Sequence, residues 1–151
     1  MLRLSRKTIF ALEAVLDIAY NARAEPVQAK EITRRQGIPQ RYLEQVMQEL
    51  VRAGVLKGVR GPRGGYHLAR ERRKVSVGDI VRVVAAIENT PTTEQYQSES
   101  ELGIKVVKPM LDEIYGSMMQ TLDNISLQDL CATAEEAAVQ REGRERFDFT
   151  I

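Results

Sequence analysis

The chain has 151 residues, enough for one ordinary domain or a small domain with an oligomerisation element. Its 43% hydrophobic and 28% charged residues exclude a disordered chain, and no apolar run reaches the about eighteen residues of a membrane span. The formal net charge of +1 hides a split: residues 1–75 hold 16 Lys+Arg against 7 Asp+Glu, and residues 76–151 hold 6 against 14, so only the N-terminal half suits a polyanion.

The N-terminus is amphipathic and charged, unlike a secretory signal, and the single cysteine, Cys131, excludes an internal disulfide framework. A cytoplasmic location is the expectation. Residues 5–22 read as a first helix, because Ala11, Val15, Ile18, Ala19 and Ala22 recur at helical spacing, widened by Phe10 and Leu16. Pro26 stops it, and a second helix is expected at 29–36. Gly37 then supplies a tight turn, and Pro39 opens a third helix over 39–53. On that helix Leu43, Val46, Met47 and Leu50 point toward a core, while Gln40, Arg41, Glu44, Gln45 and Gln48 lie on the other side.

Gly54 ends the third helix. Residues 55–60 and 66–68 form a hairpin across Gly61-Pro62-Arg63-Gly64-Gly65. A basic run over 70–74 leads to Ser76-x-x-Asp79, a capping-box variant that starts a helix at 77–88. Residues 89–101 are polar, contain Pro91 and lack an apolar period, which predicts a flexible loop. A long helix follows, with Val107, Leu111, Ile114, Met118, Leu122 and Ile125 spaced by three or four, close to a heptad seam for a dimer contact; Pro109 offsets its first turn. Ser126-x-x-Asp129 caps a last helix that frays into REGRER before FDFTI. The expected protein is mainly α with a small β-hairpin wing. It has a winged helix-turn-helix at 1–88, a flexible loop at 89–101, a dimerisation helix and C-terminal helix at 102–141, and a charged tail at 142–151.

A polar-faced helix running straight into a basic hairpin suits DNA: the helix meets base edges and the hairpin grips the backbone. Gln bonds bidentately to adenine and Arg to guanine. Glu44 is repelled by phosphates, so it points to a cytosine amino group; the plainer alternative, a solvated Glu paired with Arg41, is the stronger reading of that residue alone. Arg60 and Arg63 flank or sit in a turn with three glycines, where bare backbone can approach a phosphate or enter the minor groove. As a nucleotide-binding loop the segment fails, because no G-K-[ST] follows and the turn leads into a strand. Tyr66 is expected to pack under the wing, and His67 to lie on its surface or touch phosphate. No nucleophile–base pair or acid–base cluster is visible, so an enzyme is not expected.

The run YLEQVMQELVRAGVLKGVRGPRGGYHLAR, with LSRKTIFALEAVLDIA before it and VSVGDIVRVV after it, resembles the Rrf2 family of bacterial transcriptional regulators over nearly the whole chain, least over 89–105. The resemblance implies a homodimeric winged helix-turn-helix bound to a palindromic double-stranded operator. It implies DNA contacts from Gln40, Arg41, Glu44, Gln45, Arg60, Gly64 and Gly65, to which the hairpin chemistry adds Arg63. Most members have a small polar residue where Pro39 stands, so no side-chain phosphate contact is expected there. Iron–sulfur members carry three closely spaced cysteines and then a histidine between the fourth and long helices. Here residues 88–108 hold neither, and Lys108 stands nearest that histidine, so no cofactor or metal is expected.

The resemblance is to the cysteine-metabolism repressor type. Members of that type end in an aromatic-rich segment closing on isoleucine and work with cysteine synthase, which makes Phe149, Thr150 and Ile151 candidate partner-binding residues. The alternative for the tail is an end whose phenylalanines fold back on the dimer. Cys131 has no clear basic partner nearby in sequence and reads as a buried small apolar residue. The expected function is a transcriptional repressor, without an iron–sulfur cluster, of cysteine or sulfur metabolism. Two alternatives remain: a regulator sensing redox state or a small ligand through Cys131 or the 89–101 loop, and an adaptor that binds cysteine synthase through its tail.

Overall fold

A computed structural model describes residues 4–88 and 97–142. Its elements run α1 (Arg6–Tyr20), α2 (Ala29–Gln36), α3 (Gln40–Arg52), β1 (Leu56–Val59), β2 (Gly65–Leu68), α4 (Val77–Glu88), α5 (Lys108–Asp123) and α6 (Leu127–Glu136). Mainly helical with one hairpin, this is the expected fold class. Helix α1 starts at Ser5, whose Oγ accepts from the Thr8 N–H at 3.1 Å and donates to Glu88 at 2.7 Å, tying the start of α1 to the end of α4. Its inner face is mostly small: Ala11, Ala14, Val15 and Ala19 are wholly buried, which lets neighbouring helices approach closely. The helix ends at Tyr20, so Ala22, expected on this face, lies exposed beyond it.

Asp17 is the exception on that buried face. Its carboxylate accepts from Arg35 Nε at 2.8 Å, Arg35 Nη2 at 2.7 Å and Gln36 Nε2 at 2.8 Å, and its side chain is 0% exposed. This pins α2 across α1. Helix α2 opens with a capping box that the sequence reading did not identify, the Gln28 N–H donating to Glu31 at 2.8 Å. Gly37, left-handed at φ +67°, closes α2 and turns the chain through the buried Ile38 into α3.

Helix α3 buries Leu43, Val46, Met47 and Leu50, each contributing about 1.5–3 kcal/mol by leaving water. Its start is also tied to α1: the Tyr42 hydroxyl donates to the Lys7 carbonyl at 2.9 Å and its ring packs 5.8 Å from Phe10. The strands pair antiparallel with Leu56 opposite Leu68 and Val59 opposite Gly65. Val27, just before α2, adds a third short rung on Tyr66, with N···O distances of 3.0 and 2.8 Å.

Ser76 and Asp79 cap α4 reciprocally at 3.0 Å each, as their spacing predicts. Ser126 and Asp129 do the same for α6. The two starts are joined: the Val77 N–H donates to the Ile125 carbonyl at 2.8 Å, and the Leu127 N–H to the Val75 carbonyl at 2.9 Å. Leu127 and Cys131 therefore belong to the same core as α1 and α3.

The long helix differs from expectation in two ways. Helical structure begins at Glu101, inside the segment expected as a loop, and passes through a π-turn at Gly103–Val107, where the Lys108 N–H reaches back to the Gly103 carbonyl. Pro109 lacks an N–H and crowds the preceding turn, so the widened turn ahead of it is the physical form of the expected offset. Residues 97–100 are not helical; residues 89–96 of the expected loop lie outside the described residues. The second difference concerns the dimer seam. Met118 and Leu122 pack with Val77, Val81 and Met119 of their own chain, because α4 presents a second apolar edge to α5; Leu111 is half-buried. The outward apolar residues are Leu102, Ile104, Val106, Val107, Met110 and Ile114. Arg82 clasps Asp123 with two bonds of 2.7 Å across the α4–α5 contact, holding the Asp123 carboxyl below its ordinary range.

Replacing Arg35 with Met leaves the Asp17 carboxylate buried without its cation. A loss of about 3–5 kcal/mol is expected in urea unfolding, and adding Asp17→Leu should restore part of it, since a buried pair exchanged for apolar residues is often neutral.

Candidate nucleic-acid interface

The polar side of α3 is open to solvent. Gln40, Arg41, Glu44, Gln45 and Gln48 are all exposed, while the opposite side is wholly buried. The Glu44 carboxylate accepts from Gln40 Nε2 at 3.3 Å, one helical turn earlier, and not from Arg41 as the plainer sequence reading had it. Arg41 is left with an unobstructed guanidinium beside it. Tyr66 is half-buried under the wing; burial pushes its phenol above the ordinary value and the Glu44 charge adds to the shift. The wing strand therefore lies within electrostatic reach of the outward face of α3.

Arg60 and Arg63 are exposed at the hairpin turn, with Gly61 between them at φ +115°. The two glycines that follow have a steric role. A Cβ on Gly64 would stand 2.3 Å from the Val59 carbonyl oxygen, and one on Gly65 would stand 2.4 Å from that of Val27. Glycine at both positions lets the turn close and lets β2 seat against Val27, which sets where the arginines are carried. His67 faces Lys57 across the hairpin. The sequence reading missed the Asp17–Arg35 pair that positions this surface. Its one available signal was an acid inside an otherwise apolar helical stripe.

Tyr42, on the inner side of α3, has its phenol pushed up to about 12 by burial and by the Glu88 charge. Glu31, at the head of α2, is held low. Burial alone would raise it, but the Gln28 N–H and the Arg23 and Arg35 guanidinia outweigh that. Burial pushes the Cys131 thiol up, and Arg72, brought beside it by the fold, pulls it back only in part. Its basic partner was not visible in the local sequence because Arg72 precedes it by more than fifty residues. Phe149, Thr150 and Ile151 lie outside the described residues. No helix among the described residues is long and apolar enough to cross a membrane.

Residues 4–133 match the family described as Rrf2, iron-dependent transcriptional regulator. An HTH-type transcriptional regulator described as rrf2-like from Rhodobacter capsulatus is 32% identical over 145 residues, covering 89% of this chain and 96% of that protein. Among solved structures, IscR of T. potens superposes with a TM-score of 0.73 at 35% identity over 96% of each chain. CymR, described as the global cysteine regulator of B. subtilis, superposes at 0.67 with 27% identity, over 88% of this chain and 98% of that one. Likeness of the whole chain to IscR thus exceeds likeness to CymR, and any distinction between those types rests on particular residues.

The family description names iron, and the donors present do not fit an iron–sulfur cluster. Among the described residues no three His, Cys, Asp or Glu converge on a point that could hold a metal. Cys131 is buried on α6 and His67 belongs to the wing. Lys108 bonds Asp112 at 3.1 Å as an ammonium, which has no lone pair to donate.

The contacts around the wing glycines separate two substitutions that look alike in sequence. Gly65→Ala should destabilise the protein by about 1–3 kcal/mol through the clash with Val27. Gly58→Ala, at a position with nothing within 4 Å of a new Cβ, should stay within about 0.5 kcal/mol of wild type. Thermal unfolding of the two variants decides it.

Proposed function

Because the chain belongs to the Rrf2 family of transcriptional regulators, we propose that it is a sequence-specific repressor that binds a palindromic operator as a homodimer, without an iron–sulfur cluster. The observation that carries DNA binding is the pairing of the exposed Gln40–Arg41–Glu44–Gln45 face with the exposed wing arginines Arg60 and Arg63. Gln40, Arg41, Glu44 and Gln45 read base edges. Arg60 and Arg63 grip phosphate or enter the minor groove, and Gly64 and Gly65 act by letting backbone come close. Such a protein works where its DNA is, in the cytoplasm, and needs no catalytic group.

The homodimer is supported by the unpartnered apolar residues on and before α5. Ile104, Val106 and Met110 are each at least half exposed, and Val107 and Ile114 only a little less. Leu111 lies beside that surface, whereas Met118 and Leu122 support it from within the chain. A second copy covering this surface would hold two recognition helices at the spacing of two half-sites. The reading without a cluster is supported by Lys108, an amine paired with Asp112, where iron–sulfur members carry a histidine.

Within this class we assign the protein to cysteine or sulfur metabolism, with cysteine synthase as partner. The support is the aromatic segment FDFTI, together with the likeness to a structure described as a cysteine regulator. Redox sensing through Cys131 is the weaker reading, because burial holds that thiol in its neutral, unreactive form.

Duplexes enriched from a random library by the wild-type protein provide the operator. Glu44→Ala should relax discrimination at one base pair by about 1–3 kcal/mol, whereas Arg60→Ala should weaken all duplexes and reduce the salt slope by about one. Equal losses on enriched and random duplex for Glu44→Ala would remove it from base reading. For the tail, deletion of Thr150 and Ile151 should abolish calorimetric binding to cysteine synthase while leaving operator affinity unchanged; enzyme binding that survives the deletion would overturn the partner.

A further inference from the structure

Beyond α6 the chain does not simply leave the domain. At Ala138 it takes a left-handed turn, φ +59°, in which the Val139 N–H closes on the Ala134 carbonyl at 3.0 Å and caps α6. The turn delivers the chain to the junction of α1 and α2. The Tyr20 hydroxyl donates to the Val139 carbonyl, and the Arg141 guanidinium lies 4.4 Å from the Tyr20 ring centre. The Glu142 N–H donates to Asn21 Oδ1 at 3.0 Å, and the buried Asn21 also donates to the Asp17 carbonyl at 3.1 Å. Finally, the Glu142 carboxylate bridges Arg34 and Arg35 of α2.

We propose that residues 137–142 are a strap that couples the C-terminal segment to DNA binding: when seated, it holds α2 in the posture that presents α3 to a specific duplex. The path is short. Arg35 is shared between Asp17 of α1 and Glu142 of the strap, and α2 passes through Gly37 and the buried Ile38 directly into α3. When the strap lifts, Arg35 keeps Asp17 but loses one of its carboxylates, Arg34 loses its partner, and Asn21 loses an acceptor role. Helix α2 is eight residues long with one wholly buried side chain, Ile32, so its orientation rests on polar ties, to which the strap adds those of Glu142 beside the Asp17 cluster. Whatever holds the chain beyond Glu142 by pulling on it would work against the strap, and linkage requires DNA to tighten the strap by the factor by which the strap tightens DNA.

The inference rests on duplex binding at α3, so the experiment begins with duplexes that the full-length wild-type protein enriches from a random library. With these, Glu142→Gln should bind about fivefold more weakly, with affinity for random duplex unchanged. Glu142→Arg should be weaker still, and combining it with Arg34→Glu should recover most of the loss, which a general loss of stability would not allow. In wild type, amide hydrogen exchange across 139–142 should slow about fivefold when the enriched duplex is saturating, the reciprocal of the same coupling. Unchanged affinity in Glu142→Gln, or exchange indifferent to DNA, would overturn the strap while leaving DNA binding standing. Failure of the wild type to enrich any duplex would overturn the DNA reading, and the strap's role with it.

Discussion

The buried ion pair between Asp17 and Arg35 is the constraint from which the placement of α3 and the wing follows. A carboxylate with no solvent exposure is tolerable only when its charge and lone pairs are met, and here two guanidinium N–H groups and the Gln36 amide meet them. Because the partners sit on α2 and the acid on α1, the crossing of the two helices is set by the bond geometry of one side-chain cluster. Apolar packing alone would leave more freedom, since α2 contributes only Ile32 to the fully buried set. The pair is better understood as a device for a unique arrangement than as a source of stability.

From that crossing the other parts are placed in turn. Val27, entering α2, forms the rung on Tyr66 that seats the wing, and Gly65 leaves room for it. The turn at Gly37 carries the chain from α2 into α3, whose inner face is locked by Leu43, Val46, Met47 and Leu50 and whose start is tied to α1 through Tyr42. Helix and hairpin are thus both anchored to α1 and α2. Residues 139–142, after α6, reach the same junction.

The acidic half serves different neighbours. Helices α5 and α6 start from residues zipped to the head of α4, and the apolar edge of α5 is divided by position along its length. Its C-terminal half packs on Val77 and Val81, and its N-terminal half, with the π-turn before it, turns outward. A heptad-like spacing says that a helix has an apolar side. It does not say whether that side is covered by the same chain, and here one end of the seam is packed within the chain and the other is exposed.

The sequence by itself determined the elements and the chemistry of the outward face. Period, caps and turn glycines mark α2, α3 and α4, and the start of α6, to within a residue or two, because capping and burial periodicity are local. The exposed Gln40, Arg41, Glu44 and Gln45 were legible for the same reason: one side of α3 is apolar and the other is not. The wing was legible from its glycines, though not the reason for them, since the carbonyl that excludes a side chain at Gly65 belongs to Val27. Only the tertiary structure decided which polar groups are neighbours. Asp17 and Arg35, Arg72 and Cys131, Arg82 and Asp123, and Glu142 with Arg34 and Arg35 are separated in sequence by between eighteen and about a hundred residues, and no local pattern carries such pairings. It also decided that α6 joins the first core and that Met118 and Leu122 serve their own chain, because an apolar side chain names no particular partner and packing selects one only after the helices have been placed.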